Sequence, residues 1–115
     1  MHGGCKVNQV DTYGQTPLFY AAREGHLELC KLLVSLEAES DCVDSNGQTP
    51  LYYAVKAVRV ETAEFLISVG ADVNHEDSKG ETPMIIAKRT GKKPIINLLL
   101  LNGAKSPDDY LRKSN

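Results

Sequence analysis

The sequence predicts an all-α repeat fold, a stack of two-helix units, and three observations carry that prediction. The phrase Asp11-Thr-Tyr-Gly-Gln-Thr-Pro-Leu18 returns as Asp44-Ser-Asn-Gly-Gln-Thr-Pro-Leu51 and again as Asp77-Ser-Lys-Gly-Glu-Thr-Pro-Met84, at an offset of 33 residues each time. A fixed period in this range marks a stack of like units, none of which can bury its apolar face alone. Each phrase contains Thr-Pro, a helix-start signal, and an apolar run at helical spacing follows it. Function in such a stack belongs to its surface rather than to a central pocket.

The elements follow in order within one unit. Thr16-Pro17 opens the first helix, because a threonine hydroxyl can accept from an orphan backbone N–H and proline's missing N–H costs nothing in the first turn. Thr49-Pro50 and Thr82-Pro83 repeat the signal. This helix is expected from about Pro17 to Glu24, with Gly25 ending it in the left-handed conformation that side chains resist. The run from His26 to Leu36 puts Leu29, Cys30, Leu32, Leu33 and Leu36 on one broad face of a second helix, and Val60 to Val69 is its copy. Gly70 to Asn74 reads as a helix stop and a short extended segment, and Asp77 to Gly80 as the turn into the next Thr-Pro.

The phrases D-x-x-G-x-T-P-L, A-A-x-x-G-H-L-E at Ala21 to Glu28, and L-I-x-x-G-A-D-V-N at Leu66 to Asn74 resemble the ankyrin repeat. The resemblance covers nearly all of residues 11–105 in three copies without insertion. It implies an ankyrin solenoid, in which helix-loop-helix units with β-hairpin-like loops stack into a curve, and it implies the binding of another protein as the activity. The units are expected at residues 11–43, 44–76 and 77–105. Residues 1–10 resemble the tail of a preceding repeat, and residues 106–115 read as a C-terminal capping helix that lays Tyr110 and Leu111 over Leu98 to Leu101. A stack that starts in mid-unit suggests either an excerpt of a longer array or self-association through an uncapped N-terminal face.

Departures from the family pattern carry their own expectations. Where the family commonly has histidine after T-P-L, this chain has Phe19, Tyr52 and Ile85, which exchanges a polar network for apolar and aromatic packing. Glu37 and Val58 stand where the family has helix-stopping glycine. A β-branched residue at positive φ is strained, so either the turn at Val58 is altered or the valine is strained. Tyr20 and Tyr53 stand where the family usually has leucine, and their rings are expected to be mainly buried with the hydroxyls at a polar edge.

Composition narrows the function. A 115-residue chain with a net charge of −2 offers no overall recruitment of nucleic acid, which leaves the Lys88 to Lys93 cluster as the only foothold for that or for anionic lipid. No apolar run approaches the roughly 20 residues that span a bilayer, and an odd three cysteines without a C-x-x-C pair suggest neither a disulfide framework nor a zinc site. The expected compartment is therefore cytoplasmic or nuclear. No catalytic residue, cofactor or metal is assigned. The histidines are scattered, with His26 expected to cap or pack, and the consecutive side chains of His75-Glu76-Asp77 point apart in an extended segment. Cys30 falls on the apolar face of its helix and is expected to be a small core residue.

The resemblance implies a partner surface at the hairpin tips and on the concave face of the first helices. The matching tip positions are Thr12, Tyr13 and Gln15, then Ser45, Asn46 and Gln48, then Ser78, Lys79 and Glu81. On the helices Arg23, Lys56 and Arg89 recur at the repeat interval and are expected to align as a basic column suited to an acidic protein or peptide. Tyr13 is the aromatic candidate for an anchor. Asn74 matches the pattern hydroxylated by asparaginyl hydroxylases in other ankyrin repeats, against the plainer expectation that it holds the turn. The sequence thus reads as a non-catalytic interaction module, the competing class being an accessory domain that recruits substrate for a larger enzyme or modifier.

Overall fold

In a computed structural model of the chain, which describes residues 7–105, six helices follow one another in three pairs. They are α1 (Pro17–Glu24) with α2 (Leu27–Ser35), α3 (Pro50–Lys56) with α4 (Val60–Ser68), and α5 (Pro83–Thr90) with α6 (Lys93–Leu101). Helix α1 packs on α3 and α3 on α5, while α2 packs on α4 and α4 on α6, so that like helices stack in two rows. The core recurs with the same period: Leu18, Leu51 and Met84 are fully buried in the first row, and Leu66 and Leu99 in the second, with Leu33 nearly so. Each such side chain contributes roughly 1.5–3 kcal/mol by leaving water. Among the described residues there is no strand. The loops are hairpin-like through a backbone bond that closes each tip, Asp11 N–H to Gln15 O at 3.0 Å and Asp44 N–H to Gln48 O and Asp77 N–H to Glu81 O at 2.9 Å. The expected capping helix over 106–115 and the first six residues of the expected repeat tail lie outside the described residues.

The helix starts follow the Thr-Pro signal, with one difference. The hydroxyls of Thr49 and Thr82 each accept from the N–H three residues on, at 3.3 Å. The hydroxyl of Thr16 makes no such cap. It lies 4.0 Å from Cys42 Sγ in the segment leading to the next tip.

The helix ends show what the missing glycines entail. Gly25 and Gly91 end α1 and α5 at φ 72° and 69°. At the equivalent point after α3, Val58 takes φ 59° and keeps the same bonds, its N–H to Val55 O at 3.0 Å and Arg59 N–H to Ala54 O at 2.7 Å. Of the two expectations at this turn, the strained valine is the one found. Glu37 likewise adopts φ 73° where Gly70 and Gly103 serve the next two repeats. The stack fixes these turns whether or not the local residue favours them.

Phe19 and Tyr52 are buried and Ile85 partly so, in keeping with the expected packing role. The Phe19 and Tyr52 rings meet Tyr53 edge-on, with centroids 5.9 and 5.1 Å away.

Candidate functional site

Each tip is built on an aspartate. Oδ1 of Asp11 accepts from the N–H groups of Tyr13 and Gln15 at 2.8 and 3.0 Å. Asp44 does the same for Asn46 and Gln48, and Asp77 for Lys79 and Glu81. A carboxylate that satisfies two backbone donors in this way fixes the turn. The tips are also bonded to one another: Ser45 N–H and Oγ both donate to Tyr13 O at 2.9 Å, and Ser78 N–H donates to Asn46 O at 3.1 Å. A Cβ on Gly47 would come within 2.8 Å of Ser78 N, so glycine permits this approach as well as the φ of 73°. The outcome is a row of fixed tips from which Thr12, Tyr13, Ser45, Asn46, Ser78 and Lys79 are exposed, Tyr13 at 68%.

Gln15 and its counterparts are set back from that exposed row. Gln15 is 7% exposed, and Gln48 and Glu81 are half-buried. Gln15 Nε2 donates to Asp44 Oδ2 at 2.9 Å and to the Tyr53 hydroxyl at 3.0 Å, and Gln48 Nε2 donates to Asp77 Oδ2 at 3.2 Å. The Tyr53 hydroxyl lies 2.5 Å from Asp44 Oδ2 and 2.8 Å from Gln48 Oε1, and its single proton serves one of them at a time. These groups form a polar seam beneath the tips that joins each repeat to the next.

The seam shifts its acids and phenols in opposite directions. Burial pushes the Asp44 carboxyl up, but the Tyr53 hydroxyl, the Gln15 amide and the N–H groups of Gln48 and Asn46 outweigh it and leave the group below its ordinary range. Asp77 is lowered in the same way, burial being outweighed by the Glu81 N–H and the Gln48 amide. Tyr53 is raised, first by burial and then by its bond to Asp44. At the first tip the Tyr20 hydroxyl, bonded to Asp11, is the main cause that lowers that carboxyl. Tyr20 itself is 41% exposed, more open than its counterpart Tyr53, and its hydroxyl reaches a polar edge as expected.

The three cations of the expected basic column differ in how far they are engaged. Arg23 is half-buried and lies 4.8 Å from the Tyr53 centroid and 5.2 Å from that of Tyr20, with Nη2 donating to Gln15 Oε1 at 3.0 Å. Arg89 pairs with Glu81 Oε2 at 2.5 Å. Lys56, between them, is exposed, and no ion pair or ring contact engages it among the described residues. Charge available to a partner on this face therefore centres on Lys56, flanked by the exposed Lys79 at a tip and Lys92 and Lys93 near the end of the stack.

Behind the helices runs a second ladder that sequence reading missed. Asn8 Nδ2 donates to Glu37 O at 3.2 Å and its Oδ1 accepts from Glu39 N–H at 2.9 Å. Asn74 makes the same pair with Gly103 O and Lys105 N–H, at 3.2 and 2.9 Å. Between them Asp41, which has no side-chain donor, accepts from Asp72 N–H at 3.1 Å. The Asn74 amide is thus engaged at both ends by the backbone of the following repeat, while its own turn is bonded by Asp72, whose Oδ1 accepts from Asn74 N–H at 2.9 Å. The signal was present as a polar letter retained at the repeat interval in Asn8, Asp41 and Asn74.

The remaining candidates are occupied or inert. The ring N–H of His75 donates through Nε2 to Gly47 O at 2.8 Å. His26 sits at the start of α2 and makes no side-chain cap. Cys30 is fully buried, and burial pushes its thiol up to about 11. Among the described residues no group of three or more His, Cys, Asp or Glu is placed to hold a metal ion, and no helix is long and apolar enough to cross a membrane.

The chain matches a family model described as ankyrin repeats in three copies, over residues 1–77. No curated protein matches the chain.

Proposed function

We propose that this chain, which belongs to the ankyrin-repeat family, binds a partner protein across its fixed tips and the Lys56-bearing face of its first helices. Ankyrin repeats are protein–protein interaction modules, typically non-catalytic, and that much follows from membership. The finer reading rests on one observation: tip backbones locked by the Ser45 to Tyr13 and Ser78 to Asn46 bonds hold Tyr13 at 68% exposure. An aromatic side chain presented on a fixed backbone loses little entropy on binding, which is what a hot spot requires. The lysines Lys56 and Lys79 favour an acidic partner segment, chiefly through encounter rate and specificity.

The test is quantitative affinity capture from cell lysate with the wild-type chain and with a Tyr13→Ala, Lys56→Glu, Lys79→Glu variant of unchanged melting temperature. The reading expects a protein that wild type retains and the variant loses. Equal retention by both would refute it.

A further inference from the structure

Between the first and second repeats, beside the loops that join their helices, lies a cavity of about 320 Å³ lined by Gly25, Leu27, Val58, Arg59, Glu61 and Thr62. Thr62 is 2% exposed, and its hydroxyl meets no hydrogen-bond partner among the described residues. Leu29 and Ile95 hold the same position in the other repeats, so a hydroxyl stands here in an otherwise apolar place. A buried polar group left unpaired costs free energy and calls for a partner from outside the chain. The first turn of α4 borders the same cavity. Its cap position, Arg59, offers no side-chain acceptor, and the N–H groups of Val60, Glu61 and Thr62 have no acceptor earlier in the helix. Arg59 adds a held cation: its Nε donates to Arg23 O at 3.0 Å, and it crosses Gly25 so closely that a Cβ there would stand 2.7 Å from its Cδ. No ion pair engages Arg59 among the described residues.

We propose that this cavity is an oxyanion site that takes a phosphate group, free or carried on an ester, between Arg59, the Thr62 hydroxyl and the first-turn N–H groups of α4. The positive end of a helix dipole, open backbone donors and a guanidinium each favour an anion. The donors come from side chains and backbone together, which suits the three or more acceptor oxygens of a phosphate better than the single plane of a carboxylate. Glu61 is the competing charge, since its exposed side chain lines the same cavity and answers the same helix end. Val58, strained at φ 59°, is the residue that leads into the site. The site lies inside the stack, between two described repeats, and uses none of the tip residues.

The test titrates inorganic phosphate into the full chain at constant ionic strength and follows the backbone amide signals by NMR. Saturable shifts are expected at Val60, Glu61 and Thr62, without matching shifts at the exposed Lys92 and Lys93. T62V and R59Q are each expected to weaken binding by about fivefold or more, and E61Q to strengthen it by about twofold or more. In phosphate-free buffer T62V is expected to raise the Tm by about 2 °C or more, because it removes an unpaired buried hydroxyl. O-phosphoserine in place of phosphate separates the two sources: tighter binding than the inorganic ion assigns the site to a phosphorylated segment, and weaker binding assigns it to the free ion. No saturable shift, shifts centred on Lys92 and Lys93, or unchanged affinity in T62V or R59Q overturns the proposal. A Tm that does not rise in T62V overturns it too, since the hydroxyl then has a partner within the fold.

Discussion

The guanidinium of Arg23 lies 4.8 Å from the centroid of the Tyr53 ring, across the joint between the first and second repeats. A residue whose sequence position suggested a free cation on the concave face is therefore part of what holds the stack together. Removing it deletes a cation–π contact, the bond to Gln15 and the packing of a long side chain. Arg23→Ala is expected to lower stability by about 1 kcal/mol in urea unfolding, while Lys56→Ala stays within about 0.5 kcal/mol of wild type. Equal effects would remove the distinction between joint and surface cations.

Val58 at φ 59° holds a conformation that a β-branched side chain resists. Val58→Gly is expected to stabilise the chain by about 1 kcal/mol, and Val58→Ala by much less, because alanine also carries a Cβ. Thermal denaturation of the two variants decides it. Loss of stability in Val58→Gly would mean that the contacts of the half-buried side chain outweigh the strain.

Gly47 and Gly80 have nearly the same backbone, at φ 73° and 78°, but only Gly47 lies under a following tip. Alanine at either position meets the left-handed penalty of roughly 1 kcal/mol. At Gly47 its Cβ would also stand 2.8 Å from Ser78 N, so Gly47→Ala is expected to lose at least about 1 kcal/mol more than Gly80→Ala. Equal losses in urea unfolding would show that the spacing between tips is soft.

How far the sequence carried these features depended on the range of the interaction. The ends of α1 at Pro17 and Gly25 were legible because proline and glycine act on their own backbone. The strain at Val58 was legible for the same reason. Whether the Gln15 amide faces water or the next repeat is decided by the distance between repeats, which no local signal contains. Tyr20 and Tyr53 carry the same letter one interval apart, yet Tyr53 is covered by the first repeat and Tyr20 has no described repeat before it. The engagement of the basic residues was hidden for a related reason, since alignment at the repeat interval places cations together without saying which are already engaged by Glu81 or by aromatic rings.

The seam also sets the pH range of stability. A carboxylate lowered in the folded state, as Asp44 is, stabilises fully above its ordinary value of 3.8, and that contribution disappears as pH falls through the folded value. A phenol raised in the folded state, as Tyr53 is, stabilises fully below its ordinary value of 10.0 and loses that contribution as pH rises beyond it. The melting temperature is expected to fall below about pH 4 and above about pH 10. Tyr53→Phe is expected to make both falls shallower, leaving at the alkaline end the contribution of Tyr52, which burial also raises. Unchanged slopes in a melting series across pH would detach the seam from stability.

The most direct test of the proposed binding surface is the equilibrium affinity for the captured partner of wild type, Tyr13→Ala and Lys56→Glu/Lys79→Glu, measured at low and high salt. The account predicts a loss of about tenfold or more for Tyr13→Ala at either salt, as for an anchoring aromatic. It predicts for the lysine variant a loss at low salt that shrinks at high salt, as screening requires. Wild-type affinity in both variants, with the same salt dependence, would contradict it.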